Sequence, residues 1–149
     1  MSLNRIRTRR GTAVAAALLM AVGLGAAAAA PSSAGTAAPR TQTIASSVLG
    51  SDYKVTLTAL RSTQDEYAAS VRLQVYKQAD GAWKESDRVT VGEVDGWFWY
   101  PLTGRGAVCE FSTASTEPAP LTVSLLVTPS IGCSDPAHFT VKDGKVYAG

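Results

Sequence analysis

The side chains best placed for recognition chemistry are four consecutive aromatics, Trp97-Phe98-Trp99-Tyr100, in a chain with only 7% aromatic residues. On an extended strand, alternation puts Trp97 and Trp99 on one face and Phe98 and Tyr100 on the other. An exposed aromatic face stacks well on sugar rings, because axial C–H groups meet the π cloud. The competing expectation is that one pair fills a core and the other packs under a loop, since aromatic side chains commonly dominate core burial. Trp97, Trp99 and Tyr100 are therefore the candidate binding residues.

Other reactive side chains are sparse. His138 is the only histidine. It could join a serine and Asp135 in a hydrolytic relay, but no Gly-x-Ser-x-Gly turn occurs to present a nucleophile. Beside Asp135 and Pro136 it reads as a polar loop residue, and no catalytic residue is assigned. The carboxylates Asp65, Glu66, Asp87, Glu93, Asp95 and Asp135 could line loops at one end of a domain. Calcium needs about six to eight oxygen ligands, and the spacing of these acids matches no calcium-loop signature. They read as solvated surface charge, so no metal and no cofactor is expected.

Cys109 and Cys133 are the only cysteines. In an exported chain such a pair most often forms a disulfide. Closing the segment between them would stabilise the fold by roughly 3.5 kcal/mol in the chain-entropy treatment. Zinc would require two further ligands, and the chain offers a single imidazole.

The case for export lies at the start of the chain. Arg5, Arg7, Arg9 and Arg10 precede an apolar and small-residue run from Gly11 to Ala30, which ends in Ala-rich sequence before Pro31-Ser32-Ser33-Ala34. Positive flank, apolar middle and small-residue end are the three parts of a secretory signal peptide. Ser32 and Ala34 supply the small side chains that signal peptidase needs, so residues 1–34 are read as the signal, with cleavage after Ala28 as the alternative. A run of about twenty apolar residues can also span a bilayer, but this one is mostly Ala and Gly, which insert weakly. Thr8-Arg9-Arg10-Gly11 touches the twin-arginine pattern, yet Thr12 and Ala13 stand where large apolar residues belong. The general secretory route and a secreted, extracellular location follow.

Removing the signal reverses the sign of the charge. The whole chain has 14 Lys and Arg against 12 Asp and Glu, but residues 35–149 keep ten basic residues and all twelve acidic ones. That mildly acidic remainder has no basic cluster, hence no electrostatic reason to bind nucleic acid or an anionic membrane.

The elements that must position these residues read as strands. Residues 35–50 are Ala-, Thr- and Ser-rich and suggest a flexible leader, with Ile44, Val48 and Leu49 available to dock onto the domain. From residue 51 the period is two. Tyr53, Val55, Leu57 and Ala59 share one face, as do Tyr67, Ala69, Val71, Leu73 and Val75. Asp80-Gly81 marks a two-residue hairpin turn into a strand from Trp83 to Val91. Trp97 to Tyr100 forms a short strand stopped by Pro101, and further strands are expected over 107–112, 121–128, 138–142 and 145–147, the last two joined at Asp143-Gly144. Seven or eight short strands with regular turn signals argue for an all-β, antiparallel β-sandwich with one disulfide, immunoglobulin-like in general architecture. Residues 51–149 are its single domain.

In its Ala-rich signal, its Ala/Thr/Gly/Val bias and its terminal Val-Lys-Asp-Gly-Lys-Val-Tyr, the chain resembles small exported proteins of actinobacteria. Exported subtilisin inhibitors from such bacteria have similar length and a signal, but carry two disulfides where this chain has one cysteine pair.

The functional expectation is a secreted, non-enzymatic binding module whose partner is an extracellular protein or a glycan, with Gly92 to Gly106 as the first segment to inspect. The alternative is a secreted protease inhibitor that presents a disulfide-braced loop, either Pro101 to Ala107 or Thr128 to Asp135.

Overall fold

In both Asp-Gly hairpins the two central residues adopt positive φ: 54° and 75° at Asp80 and Gly81, 52° and 77° at Asp143 and Gly144. That is the mirror-image turn whose twist matches antiparallel strands. The computed structural model describes residues 38–149, and the expected signal segment 1–34 lies outside the described residues. Strands β1 (Thr41–Leu49), β2 (Tyr53–Arg61), β3 (Ala68–Ala79) and β4 (Ala82–Val91) form one antiparallel sheet in that order, and β5 (Trp97–Phe98) pairs with the start of β3. A single helical turn, α1 (Trp99–Thr103), leads to β6 (Val108–Thr113), β7 (Ala119–Thr128), β8 (Gly132–Cys133), β9 (Ala137–Lys142) and β10 (Lys145–Ala148). The second sheet runs β10-β9-β7-β6, with β8 beside β7.

The fold is thus the expected all-β sandwich with one disulfide, with ten strands among the described residues where seven or eight were foreseen. The alternation read from sequence is the one that packs, except at Tyr67, which precedes β3 and is exposed. Val55, Leu57, Ala59, Ala69, Val71, Leu73 and Val75 of the first sheet are fully buried against Leu121, Val123, Leu125 and Val141 of the second.

One added strand replaces an expected leader. Residues 35–50 read as flexible, but Thr41–Leu49 is β1, paired with β2 from Thr41↔Leu60 to Leu49↔Tyr53. At the edge of the sheet β1 reaches only the rim of the core, so it needs few large apolar side chains. Leu49 is buried, Ile44 and Ala45 pack against the core, and Val48 points to solvent.

Polar contacts join the two sheets along both edges. Ser47 Oγ of β1 and Thr113 Oγ1 of β6 lie 3.1 Å apart. On the opposite side Ser86 of β4 donates its hydroxyl to the Gly144 carbonyl, and Asp87 Oδ2 accepts from Val146 N of β10 at 2.9 Å. The Val146 N–H is the main reason that the Asp87 carboxyl sits below its ordinary value of 3.8, with Arg88 N–H adding to it. The Cys109–Cys133 disulfide, with Cα atoms 6.2 Å apart, ties β6 to β8 across the intervening β7. A disulfide is consistent with an extracellular setting. Among the described residues no helix is long and apolar enough to cross a membrane.

Candidate functional site

The aromatic block does not continue as a strand. Pairing with β3 ends at Ala68↔Phe98, and Pro101, which has no N–H to give a ladder, falls in the first turn of α1, where that loss is harmless. Trp99 N donates to Tyr67 O at 2.8 Å, and Thr103 Oγ1 donates to Trp99 O at 2.9 Å. Leu102, fully buried, and Trp99 are the side chains α1 places in the core.

This change of conformation decides the candidates. Trp97 and Trp99 are 9% and 8% exposed and belong to the core. Trp97 Nε1 donates to Val91 O at 2.7 Å, which satisfies the indole N–H inside. The ring lies against Gly92, at φ +71°, where an added Cβ would come 3.1 Å from Nε1. A stacking platform made of Trp97 and Trp99 is therefore excluded by burial, as the competing core reading anticipates. Tyr100, 57% exposed, is the one candidate left on the surface, with Phe98 also exposed.

Tyr100 has two neighbours from elsewhere in the chain. The Tyr67 ring lies 6.0 Å from it, tilted by 51°. Tyr67 is held in place by its N–H donating to Asp65 Oδ1 at 2.8 Å. The Arg61 guanidinium sits 5.7 Å from the Tyr100 centroid and 5.9 Å from that of Trp99. Its Nε donates to Glu66 O at 2.8 Å and its Nη2 donates to Tyr100 Oη at 3.3 Å. The result is a fixed, exposed tyrosine pair braced by a partly buried cation. Tyr100 also lines an open depression of about 350 Å³, together with Pro101, Gly104, Arg105, Leu126 and Pro129. Tyrosine, arginine and apolar neighbours are the composition of interface anchors.

The remaining sequence candidates are dispersed. His138 is exposed, with Nδ1 3.2 Å from Thr122 Oγ1. Asp95 accepts from Ser62 Oγ at 2.9 Å and Ser70 Oγ at 3.2 Å, so it shapes the loop before β5. Asp65 and Asp87 accept backbone N–H groups. Among the described residues no three His, Cys, Asp or Glu side chains gather as a metal set. Of the two loops considered for protease inhibition, Pro101–Thr103 is helical. The other makes a tight turn after β7, with Thr128 Oγ1 accepting from Ile131 N at 3.0 Å.

No known protein family, curated protein or solved structure matches this chain.

Arg61 and Tyr67 were not legible as site residues. Arg61 reads as a strand-end cation and Tyr67 as the first inward residue of β3; only the 39-residue separation closed by the fold brings Arg61 to Tyr100. An arginine at the end of one strand and a tyrosine at the start of the next is a weak sequence signal.

Proposed function

We propose that the protein is a secreted, non-enzymatic binding module that recognises a protein partner through the Tyr67–Tyr100 surface. The observation that carries this reading is the pair of exposed tyrosines held rigid by Arg61 next to an apolar depression. Tyr offers a large contact area at low entropic cost, and pre-ordering by Arg61 leaves less freedom to lose on association. Secretion rests on the leader pattern of residues 1–34 together with the Cys109–Cys133 disulfide.

The test compares the wild-type protein with the double variant Tyr67→Ala/Tyr100→Ala as baits in culture medium of the source cells. A protein retained by the wild type is then purified and its affinity measured against both baits. Truncating central tyrosine anchors should weaken binding by about 2 kcal/mol or more, at least tenfold. Equal affinity for both baits overturns the proposal.

The second reading, protease inhibition, is favoured by one observation. Ile131 is 70% exposed at the tip of the turn that Cys133 anchors. An enzyme panel of extracellular serine proteases tests it, and no inhibition at micromolar protein removes it.

A further inference from the structure

The outer face of the first sheet carries a second, chemically different surface. Register places its side chains in rows across the four strands: Val48, Lys54, Tyr76 and Glu85; then Ser46, Thr56, Gln74 and Arg88; then Thr43, Thr58, Arg72 and Thr90. Trp83 lies opposite Gln78 beyond the first row. A bulge at Ser86 shifts the register of β4 here, so that Glu85 and Trp83 face outward while Asp87 faces the second sheet.

Three features set this face apart from the rest of the domain. First, its sign is opposite to that of the rest of the domain. Lys54, Arg72 and Arg88 stand in its rows against the carboxylate of Glu85, with Asp95 at the rim beside Ser70, whereas residues 35–149 as a whole have ten basic and twelve acidic side chains. Second, the cations are not equally engaged. Arg88 is paired with Glu85, and Lys54 Nζ lies 5.8 Å from the Tyr76 ring. Arg72 has no ion-pair partner among the described residues. It is half-buried between Thr58 and Thr90, at the edge of a depression of about 260 Å³ that Arg61, Thr63, Ser70 and Asp95 also line. Third, Thr56 Oγ1 is the one buried side-chain polar atom without a hydrogen-bond partner among the described residues. Thr56 is 6% exposed and its side chain lies on this outer face, one row from Arg72. A buried hydroxyl left unpaired costs about 1–3 kcal/mol and calls for an explanation.

Hydroxyls and an amide otherwise line the face. Thr58 Oγ1 donates to Gln74 Oε1 at 2.8 Å, and Gln74 Nε2 donates to Glu85 Oε2 at 2.7 Å. Tyr76 and Trp83 supply aromatic surface at one end.

We infer that this face binds an acidic polysaccharide, one whose sugar rings carry carboxylates. A sugar carboxylate is the planar partner that the unpaired Arg72 guanidinium takes in a forked pair. Sugar hydroxyls match the Thr43, Thr58, Thr90 and Gln74 array, in which the unpaired Thr56 Oγ1 stands opposite Gln74. The C–H faces of the rings stack on Tyr76 and Trp83. Four strands about 4.8 Å apart make a platform about 15 Å wide, room for a short oligosaccharide. The rows use neither Tyr67 nor Tyr100, and although Arg61, which braces Tyr100, borders the depression beside Arg72, the Tyr100→Ala variant tells the two surfaces apart.

The experiment is affinity electrophoresis of the purified protein in gels containing polygalacturonate, its carboxyl-reduced counterpart, or double-stranded DNA, followed by fluorescence titration. Polygalacturonate should retard the wild type, and the carboxyl-reduced polymer and DNA should not. Arg72→Ala should weaken binding at least tenfold, Arg72→Lys should restore part of it, and Tyr76→Ala should weaken it several-fold. Tyr100→Ala should bind as the wild type does. Binding should also change indole emission, and that change should vanish in Trp83→Phe. Arg72 and Tyr76 lie outside the core, and unchanged thermal melts of their variants confirm the fold. Failure of polygalacturonate to retard the protein, equal retardation by the neutral polymer or by DNA, or undiminished binding by Arg72→Ala overturns the inference.

Discussion

Arg61 lies within 5.9 Å of both the buried Trp99 ring and the exposed Tyr100 ring, so one guanidinium joins the core to the surface. Its side chain is only 16% exposed, and it also hydrogen-bonds the Glu66 carbonyl. Arg61→Ala should therefore lose about 1–2 kcal/mol of stability, more than a solvated ion pair would explain. Urea unfolding measures this loss. Arg61→Lys should recover little of it, because an ammonium cannot make the Glu66 and Tyr100 hydrogen bonds together. Full recovery by lysine would show that charge alone matters here.

Trp97 and Trp99 should behave as core residues. Replacing either with Ala should destabilise by about 3–5 kcal/mol. In the wild type, acrylamide should quench the half-buried Trp83 and leave most of the remaining emission unaffected. Strong quenching of a Trp83→Phe protein would place the other two indoles at the surface and contradict their burial.

The Asp87–Val146 contact makes the seam between β4 and β10 sensitive to acid. Because the folded-state carboxyl titrates below 3.8, its contribution is full above that value and is lost as pH falls through the lower folded one. Asp87→Asn should be less stable than wild type at pH 7, and the difference should shrink as pH falls below the ordinary carboxylate range and the Asp87 carboxyl takes up its proton. Melting curves across that range check the sign; a gap that widens in acid is the contrary result.

Gly81 and Gly144 occupy equivalent turn positions, at φ +75° and +77°, but their surroundings differ. A Cβ at Gly81 meets nothing within 4 Å, whereas at Gly144 it would come 2.5 Å from Lys77 Cδ and 2.6 Å from Ser86 Oγ. Gly81→Ala should cost about 1 kcal/mol from backbone strain, and Gly144→Ala about 2–3 kcal/mol as the contact across the seam is forced apart. Chemical denaturation of the two single variants side by side tests the ordering.

Removing the Cys109–Cys133 bridge frees a loop of sequence separation 24. The Cys109→Ser/Cys133→Ser protein should unfold at lower urea concentration, with a loss of roughly 3.5 kcal/mol. Both half-cystines are exposed, so reductant acting on the folded wild type should produce the same shift.

Much of the fold could be read from the chain alone, because it depends on local rules. A period of two from Tyr53 onward assigns each side chain to a face, and Asp-Gly pairs mark where hairpins turn. Two cysteines after a leader pattern point to one bridge. Residue type and spacing along the chain suffice for all of these. The edge strand β1 escaped because Thr41–Leu49 lacks the large apolar residues that signal a strand, and its pairing with β2 provides what its composition does not. The helical turn at Trp99 escaped because tertiary packing, with Leu102 and Trp99 closing one end of the core, overrode the extended pattern of the aromatic block.

The surfaces were decided in three dimensions. Trp97 to Tyr100 attracted notice as a recognition motif, and the fold took its two indoles for the core and left Tyr100 outside. The partners of Tyr100 come from positions 61 and 67, which no local pattern links to it. Arg72, Thr56, Tyr76 and Trp83 become one face only when β2, β3 and β4 are laid side by side in register. The chain by itself determined a stapled β-sandwich, since periodicity and turn chemistry act between near neighbours. Which side chains meet at a binding surface depends on long-range pairing, and tertiary structure alone decided that.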